Sequence, residues 1–330
     1  MKACIVGLGA IGGFLAHRFA EGGQPVSALA RGATLEAVRR RGLVLHDVAD
    51  PGRPRAVPIA VSDSPHELGP QDLVVLAVKT TALGTIPATI APLLGPDTVV
   101  LSAMNGVPWW FFHGLGERWR GVRLHATDPQ GELHAAIPCE RVVGCVVHMS
   151  ASCPEPGVVR QAFGDRFIVG EPGGGATPRL AAIADLLRAG RLRVETSSRI
   201  ELDVWLKLWG NMTMNPVSAL TGATMDRILD DPLLRRFVSD AMTEAAAIGD
   251  ALGLPIAMTP EERHAITRSL GAVRTSMLQD VDAGRPLELD ALVGSVSEMA
   301  RLVGVDTPYI DALLGLTRLF AQTRGLLDPS

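Results

Sequence analysis

The sequence lacks several features that would assign it to a special class of protein. It has no uncharged apolar run of the roughly 20 residues that a membrane-spanning helix needs. Its apolar start, residues 1–6, is cut short by Gly7 and Gly9, so we expect no export signal. The four cysteines show no metal-ligand spacing, and we expect neither a bound metal nor a disulfide framework. These absences favour a cytoplasmic protein that does not contact a membrane.

A strong excess of charge is also missing. The net charge is −4 and the pI is about 6.1, which argues against a nucleic-acid-binding surface. The densest basic run, residues 39–41, is expected at the exposed C-terminal end of a helix, where cations suit the helix dipole. Hydrophobic residues make up 47% and charged residues 20% of the 330 residues, which is typical of a globular protein with room for two domains.

The N-terminus carries a glycine motif between an apolar strand and an amphipathic helix. Residues 3–6 form the predicted strand, and the predicted helix continues to Glu21. In a strand–turn–helix context, G-x-G-x-x-G is typical of dinucleotide binding, because the turn brings backbone amides and a helix N-terminus to the pyrophosphate. The candidate cofactor-binding residues here are Gly7, Leu8, Gly9, Ala10, Ile11 and Gly12.

The second predicted strand, residues 25–30, is not followed by an acid. Chains that bind NAD usually place Asp or Glu about 20 residues past the glycines, where it binds the ribose 2′-hydroxyl. This sequence has Arg31 instead. A guanidinium suits a 2′-phosphate, so NADP is favoured over NAD. The alternative is an ordinary surface arginine.

Two further polar residues follow apolar runs that are typical of buried parallel strands. Lys79 follows the strand 73–78, and Asn105 comes shortly after the strand 98–101, with a helix predicted over 83–94 between them. Ligands bind at the carboxyl edge of such sheets, and Asn105 would be within reach of a nicotinamide. Asn105 is followed by glycine, so a simple turn asparagine is the alternative.

Beyond this parallel region the pattern changes twice. Three short runs, at 142–147, 157–161 and 166–169, predict an antiparallel extension, followed by a helix at 179–189 and a strand at 192–195. The remainder is predicted to be helical. We therefore expect an α/β fold, with a Rossmann-type parallel-sheet domain over residues 1–198 and an all-helical domain over 199–330. Further helices are predicted at 233–252, 260–270, 289–303 and 309–319.

The aromatic run at residues 109–112 is unusual in a chain with 4% aromatic residues. Such a cluster could form the wall of a substrate pocket or cover the edge of the sheet. The sequence leaves both interpretations open.

The most informative stretch is the apolar helix that starts near residue 199. Lys207 is the only charged residue between Val204 and Pro216, and Asn211 and Asn215 follow it at intervals of four. Residues four apart stack on one helix face, so the three polar side chains share a stripe. A lysine that extends its ammonium to solvent is the alternative, but the two asparagines favour a site.

Taken with these residues, the downstream motifs make the chain resemble the ketopantoate reductase (2-dehydropantoate 2-reductase) family. The motifs are Ser276-Met277 and, twelve positions after the serine, Glu288. The resemblance covers nearly the whole chain. It implies an oxidoreductase of pantothenate biosynthesis that uses NADP, with a keto-acid substrate, Lys207 as general acid and Glu288 accepting from the substrate hydroxyl. It also implies that Arg31 binds the adenosine 2′-phosphate and that Lys79 lies near that ribose. Asn105 would lie near the nicotinamide, and the substrate would be bound by Asn211, Asn215 and Ser276.

Three alternatives to ketopantoate reduction remain open at this point. They are a family member that reduces a bulkier ketone, an enzyme of the β-hydroxyacid dehydrogenase type, and a non-catalytic NADPH sensor. A sensor would not need the general acid. The apolar surface expected of the helical domain favours a homodimer.

Overall fold

The computed structural model describes residues 1–327 and divides them into two compact units. The first comprises Met1–Met104 and Gly131–Ile200, and the second comprises residues 105–130 and those from Glu201 onward. The segment 105–130 thus packs with residues far downstream in the chain. The division into a cofactor domain and a substrate domain at residue 198 stays a prediction, and positions 328–330 of the predicted helical domain lie outside the described residues.

The first unit contains a 10-stranded sheet flanked by helices. The strands are β1 (Ala3–Val6), β2 (Val26–Leu29), β3 (Leu43–His46), β4 (Arg55–Val57), β5 (Ala60–Ser62), β6 (Gln71–Leu76), β7 (Leu94–Ser102), β8 (Val142–Glu155), β9 (Val158–Gly170) and β10 (Arg193–Ser197). The helices are α1 (Ala10–Glu21), α2 (Gly32–Arg41), α3 (Pro65–Leu68), α4 (Ile86–Ile90), α5 (Glu132–Ala136) and α6 (Pro178–Ala189).

The strand order is β4-β3-β9-β8-β7-β6-β1-β2-β5, with β10 also pairing with β9. The block from β8 to β5 is parallel throughout, whereas β8–β9 and β3–β4 are antiparallel pairs. All four residues of β1 are buried, as expected for a central strand covered on both faces. The predicted α/β class with a Rossmann-type parallel sheet is confirmed. The sheet as a whole is mixed.

The predicted antiparallel extension is correct in kind but wrong in detail. Instead of three short strands, two long ones, β8 and β9, pair with each other around a turn at Gly157, whose φ is +73°. Gly164 lies inside β9, and irregularities in the register between β8 and β9 accommodate the extra residues. Pairing across the sheet therefore overrides the local turn signals, which β-bulges absorb without ending a strand.

The helix predicted over 83–94 is also wrong. A 3₁₀ turn at Thr80–Thr85, the short helix α4 and a second turn at Ala91–Leu93 occupy this stretch, and Leu94 already begins β7. Pro87 and Pro92 each lie in the first turn of their element, where a missing N–H donor is tolerated. A continuous helix would have placed both prolines in its interior, where each costs about 3 kcal/mol.

The second unit is helical, as the sequence predicts. Its helices are α7 (Ile200–Thr221, which starts on the last residue of the first unit), α8 (Met225–Asp230), α9 (Pro232–Ala251), α10 (Pro260–Ser269), α11 (Ser276–Asp282), α12 (Ser295–Val303) and α13 (Pro308–Thr323). Two helices of at most seven residues each, α8 and α11, were not predicted. The helix predicted from 289 begins instead with a π-helical turn at Asp290–Gly294.

Four observations bear on the class of protein. Among residues 1–327, no helix is both long and apolar enough to cross a membrane. The same residues include no group of three or more His, Cys, Asp and Glu side chains placed to hold a metal ion. None of the four cysteines forms a disulfide within residues 1–327, and Cys153 is exposed. Burial raises the pKa of the Cys4 and Cys139 thiols to about 11, so neither is poised to act as a nucleophile.

Candidate functional site

Strand register brings the predicted cofactor-binding residues of the first unit to one edge of the sheet. Val6 pairs with Leu29 of β2 on one side and with Leu76 of β6 on the other, so the three strands end level with each other. The residues that follow these strands line a cavity of about 240 Å³. Its lining includes Gly7, Leu8, Arg31, Thr34, Asp63 and Val78.

The glycines of the motif are required for different physical reasons. Gly7 has φ of +98°, which disfavours any residue with a side chain. A Cβ on Gly12 would lie 2.0 Å from the Gly7 carbonyl oxygen, so only glycine lets α1 pack this closely on β1. A Cβ on Gly9 would meet no heavy atom within 4 Å. The bare Cα of Gly9 therefore faces open space at the N-terminus of α1, which suits the close approach of a pyrophosphate.

Arg31 lies where the sequence analysis expects it, as the exposed N-cap residue of α2 beside the glycine turn. Asp63 lines the same cavity and was missed. Parallel pairing of β2 with β5, which matches Leu29 to Ser62, brings this acid beside Arg31. Because β5 has only three residues and carries no strong strand pattern, the sequence offers no signal for this neighbour. Lys79 is exposed at the start of the 3₁₀ turn that follows β6.

In the second unit, two of the predicted site residues form a direct hydrogen bond. The Lys207 ammonium donates to the Asn105 side-chain oxygen over 2.8 Å, across 102 positions of sequence. Lys207 is half-buried on α7, whose opposite side carries the fully buried Trp205 and Trp209. The Asn105 amide therefore holds the Lys207 ammonium in place. The buried side chains of Trp205 and Trp209 hold α7 itself in the core. Asn105 is more than a turn asparagine.

Asn211 and Asn215 follow Lys207 on the same face of α7, and their side chains make no hydrogen bonds to the described protein. Asn211 is half-buried and Asn215 is 5% exposed. Neither side chain makes a hydrogen bond within the part of the chain that the structure describes. Their amide atoms are not among the fully buried ones, so both side chains present free donors and acceptors on one face of α7, where a polar ligand can bind.

The remaining two candidates lie on neighbouring elements of the same unit. Ser276 is the exposed first residue of α11, whose N-terminus is capped by the Thr275 side chain. Glu288 is 6% exposed and immediately precedes the helical segment that leads into the π-helical turn. Their roles toward a substrate stay predictions.

The aromatic run at residues 109–112 belongs to the core of the second unit. Its four side chains are at most 3% exposed, and Phe111 contacts Trp205 with 6.5 Å between ring centroids. Phe112 packs on Trp119 at 5.9 Å. The run therefore packs against α7 as part of this core and is not exposed as the wall of a pocket.

Two protein-family models match this chain. The model "Ketopantoate reductase PanE/ApbA" matches residues 3–109, and "Ketopantoate reductase PanE/ApbA C terminal" matches residues 199–321. A 2-dehydropantoate 2-reductase of Mesorhizobium japonicum is 43% identical over 98% of this chain and 99% of its own length. This chain belongs to the ketopantoate reductase family. The family consists of pyridine-nucleotide-dependent oxidoreductases, and its reaction is a step of pantothenate biosynthesis.

Solved structures agree with this assignment. A candidate ketopantoate reductase from Ralstonia solanacearum superposes with a TM-score of 0.94 at 53% identity, covering 98% of this chain and 99% of that one. A D-mandelate dehydrogenase with bound NADH superposes with a TM-score of 0.83 at 21% identity, covering 99% of this chain and all of that one, which shows a shared fold. The ranges of this chain that the two family models match include the glycine turn, Asn105 and Lys207.

Proposed function

We propose that the protein reduces a 2-keto acid to the 2-hydroxy acid with NADPH, and that the substrate is ketopantoate and the product pantoate. The observation that carries the proposal is the Lys207–Asn105 hydrogen bond of 2.8 Å. On the same face of α7, one and two turns further along, the Asn211 and Asn215 side chains have no hydrogen-bond partner within residues 1–327. A fixed ammonium next to free amide donors suits a small, polar, oxygen-rich substrate.

The cofactor fits the residues of the first unit. Amides at the start of α1 would hold its pyrophosphate, and no acidic residue lies in the first turn of that helix to oppose the phosphates. Arg31, at the same cavity, offers a charge-assisted contact to a 2′-phosphate. Bound NADPH supplies the hydride for the reduction.

The residues of α7 supply the rest of the chemistry. Addition of hydride to a ketone places negative charge on its oxygen, and the Lys207 ammonium is suited to stabilise that charge and to donate the proton. By accepting from the ammonium, Asn105 restricts where the Lys207 nitrogen points. The ammonium is thereby positioned to donate to the ketone oxygen of the substrate. Asn211 and Asn215 offer amide donors to the polar groups of the substrate.

A screen of NADPH oxidation across 2-keto acids, with ketopantoate included, tests this proposal directly. We expect ketopantoate to give the highest kcat/KM of the set. Turnover of bulky ketones without turnover of ketopantoate would refute the substrate, and NADPH binding without any turnover would support a sensor instead.

Replacing Arg31 with alanine is expected to weaken NADPH binding by about 1–3 kcal/mol and to leave NADH binding nearly unchanged, because only NADPH carries the phosphate. The matched control is Asp63→Asn, which removes the neighbouring negative charge and should strengthen NADPH binding. Calorimetric titration of both variants with both cofactors measures the effect. Equal losses of NADPH and NADH affinity in the Arg31 variant would show that the Arg31 guanidinium does not bind the 2′-phosphate.

Replacing Glu288 with alanine tests the preference for a hydroxylated keto acid. A carboxylate in a substrate site can accept from a substrate hydroxyl, and a site built for a hydroxyl rejects an analogue that lacks it. We expect kcat/KM for ketopantoate to fall at least ~10-fold, with little change for a keto acid without the hydroxyl. Glu288→Gln, which keeps the shape, should lose less. Equal losses for both substrates would assign Glu288 a structural role.

We further propose that two copies of the chain associate through α13. Leu316 and Leu319 on this helix are 61% and 63% exposed, and Tyr309 is 40% exposed. Exposed apolar side chains grouped on one helix mark an association surface more often than isolated ones do. Sedimentation at micromolar concentration should show a dimer that Leu316→Glu converts to a monomer. A wild-type monomer would refute the proposal.

A further inference from the structure

Arg263 of α10 is a cation outside the glycine turn and the Lys207 stripe. It is half-buried, and its Nε is fully buried without a hydrogen-bond partner. Within the described chain its guanidinium makes no ion pair and no side-chain hydrogen bond. Burial alone lowers the pKa of this guanidinium, since no acidic neighbour offsets the desolvation. A buried unpaired charge is costly, so its position calls for an explanation.

The guanidinium turns its Nε–Nη2 edge toward α7 at Gly210. A Cβ built on Gly210 would stand 2.7 Å from Nη2 and 2.8 Å from Nε of Arg263. Glycine at this position is therefore what allows the cation to reach the helix backbone. The terminal nitrogens of Arg263, unlike Nε, are not sealed from solvent.

Helix geometry places this contact beside Lys207. Residues three apart are neighbours on a helix surface, with about 5–6 Å between their Cβ positions, and Gly210 is three residues after Lys207. Leu206, which lies on the same side of α7, is 36% exposed, whereas the opposite side carries the buried Trp205 and Trp209. Arg263 thus packs next to Lys207 around the helix, and Lys207 lies between it and the two asparagines.

We propose that Arg263 binds the carboxylate of the 2-keto acid while Lys207 faces its ketone oxygen. In a 2-keto acid the two groups are on adjacent carbons, so one small molecule reaches two cations that are neighbours on one helix. The Nη1–Nη2 edge, whose nitrogens are not sealed from solvent, can match a carboxylate with two parallel donors, which explains an arginine at this place. The inference rests on the proposed function, because it assigns a partner to one group of that substrate.

The test compares a keto acid with its neutral ester. For wild-type protein we expect kcat/KM for ketopantoate to exceed that for its methyl ester. Arg263→Gln should raise KM for the acid about 10- to 100-fold, the effect of losing a charged hydrogen-bonded pair, and leave the ester nearly unchanged. Gly210→Ala, which displaces the guanidinium without removing its charge, should act in the same direction. Arg263→Lys should recover part of the affinity.

A merely structural role predicts a different outcome, in which acid and ester lose activity equally, and that result would overturn the proposal. Binding of oxamate, an unreactive 2-keto-acid analogue, provides a readout that needs no turnover. If no keto acid is reduced, the proposed function fails, yet oxamate binding that is lost in Arg263→Gln still supports the anion site. Equal oxamate binding by wild type and Arg263→Gln would refute it.

Discussion

Replacing Lys207 with methionine is expected to lower kcat for ketopantoate at least ~10²-fold while NADPH still binds, because general acid catalysis typically contributes that much. Methionine keeps the unbranched shape and the helix propensity of lysine but has no proton to give. Since Lys207 is half-buried and donates to Asn105, the change removes the hydrogen bond to Asn105 and leaves the buried aromatic side of α7 intact. Steady-state kinetics at saturating NADPH, with cofactor affinity measured separately, checks the result.

Leu206→Met is the matched control for this variant. Leu206 precedes Lys207 on the same helix and is 36% exposed, so the control places methionine on α7 without touching the ammonium. It should keep near wild-type kcat. A Lys207 variant that retains near-normal turnover at neutral pH would move the proton donor to another group.

The second large effect is expected at the glycine turn. There, Gly12→Ala should reduce both stability and NADPH binding, whereas Gly9→Ala should reduce NADPH binding alone. Gly12→Ala places a Cβ 2.0 Å from the Gly7 carbonyl oxygen, so α1 must move away from β1. Overpacking of this kind typically costs 1–3 kcal/mol, and we expect a loss of about that size in the free energy of unfolding. NADPH binding should be lost together with stability.

Gly9→Ala separates cofactor binding from folding. A Cβ at Gly9 meets no heavy atom within 4 Å and its φ of −75° suits alanine, so the stability of the free protein should be unchanged. NADPH affinity should still fall at least ~10-fold, because the methyl group occupies the space through which the backbone approaches the pyrophosphate. Thermal melts without cofactor and calorimetric titrations with NADPH separate the two effects. If Gly9→Ala binds NADPH like wild type, the pyrophosphate does not lie at this turn.

Local patterns in the sequence predict the elements whose own residues decide their structure. The run of apolar residues in β1, the glycines after it and the amphipathic α1 all require only near neighbours, and each is where the sequence places it. The same holds for α7, whose apolar residues fix a buried helix of 22 residues. Elements shaped by distant partners were missed or misjudged. β8 and β9 continue through local turn signals because they pair with each other, and β5 exists because it pairs with β2.

For the candidate site, local spacing in the sequence was enough to predict the glycine turn, Arg31 and the stripe from Lys207 to Asn215, because each depends on residues within one element. The folded structure was needed to show that Asn105 reaches Lys207 from 102 positions away, that Asp63 lies beside Arg31, and that Arg263 packs against Gly210. These contacts join elements that are far apart in the chain. A long-range contact leaves no local period in the sequence, since it is specified by the packing of the whole fold.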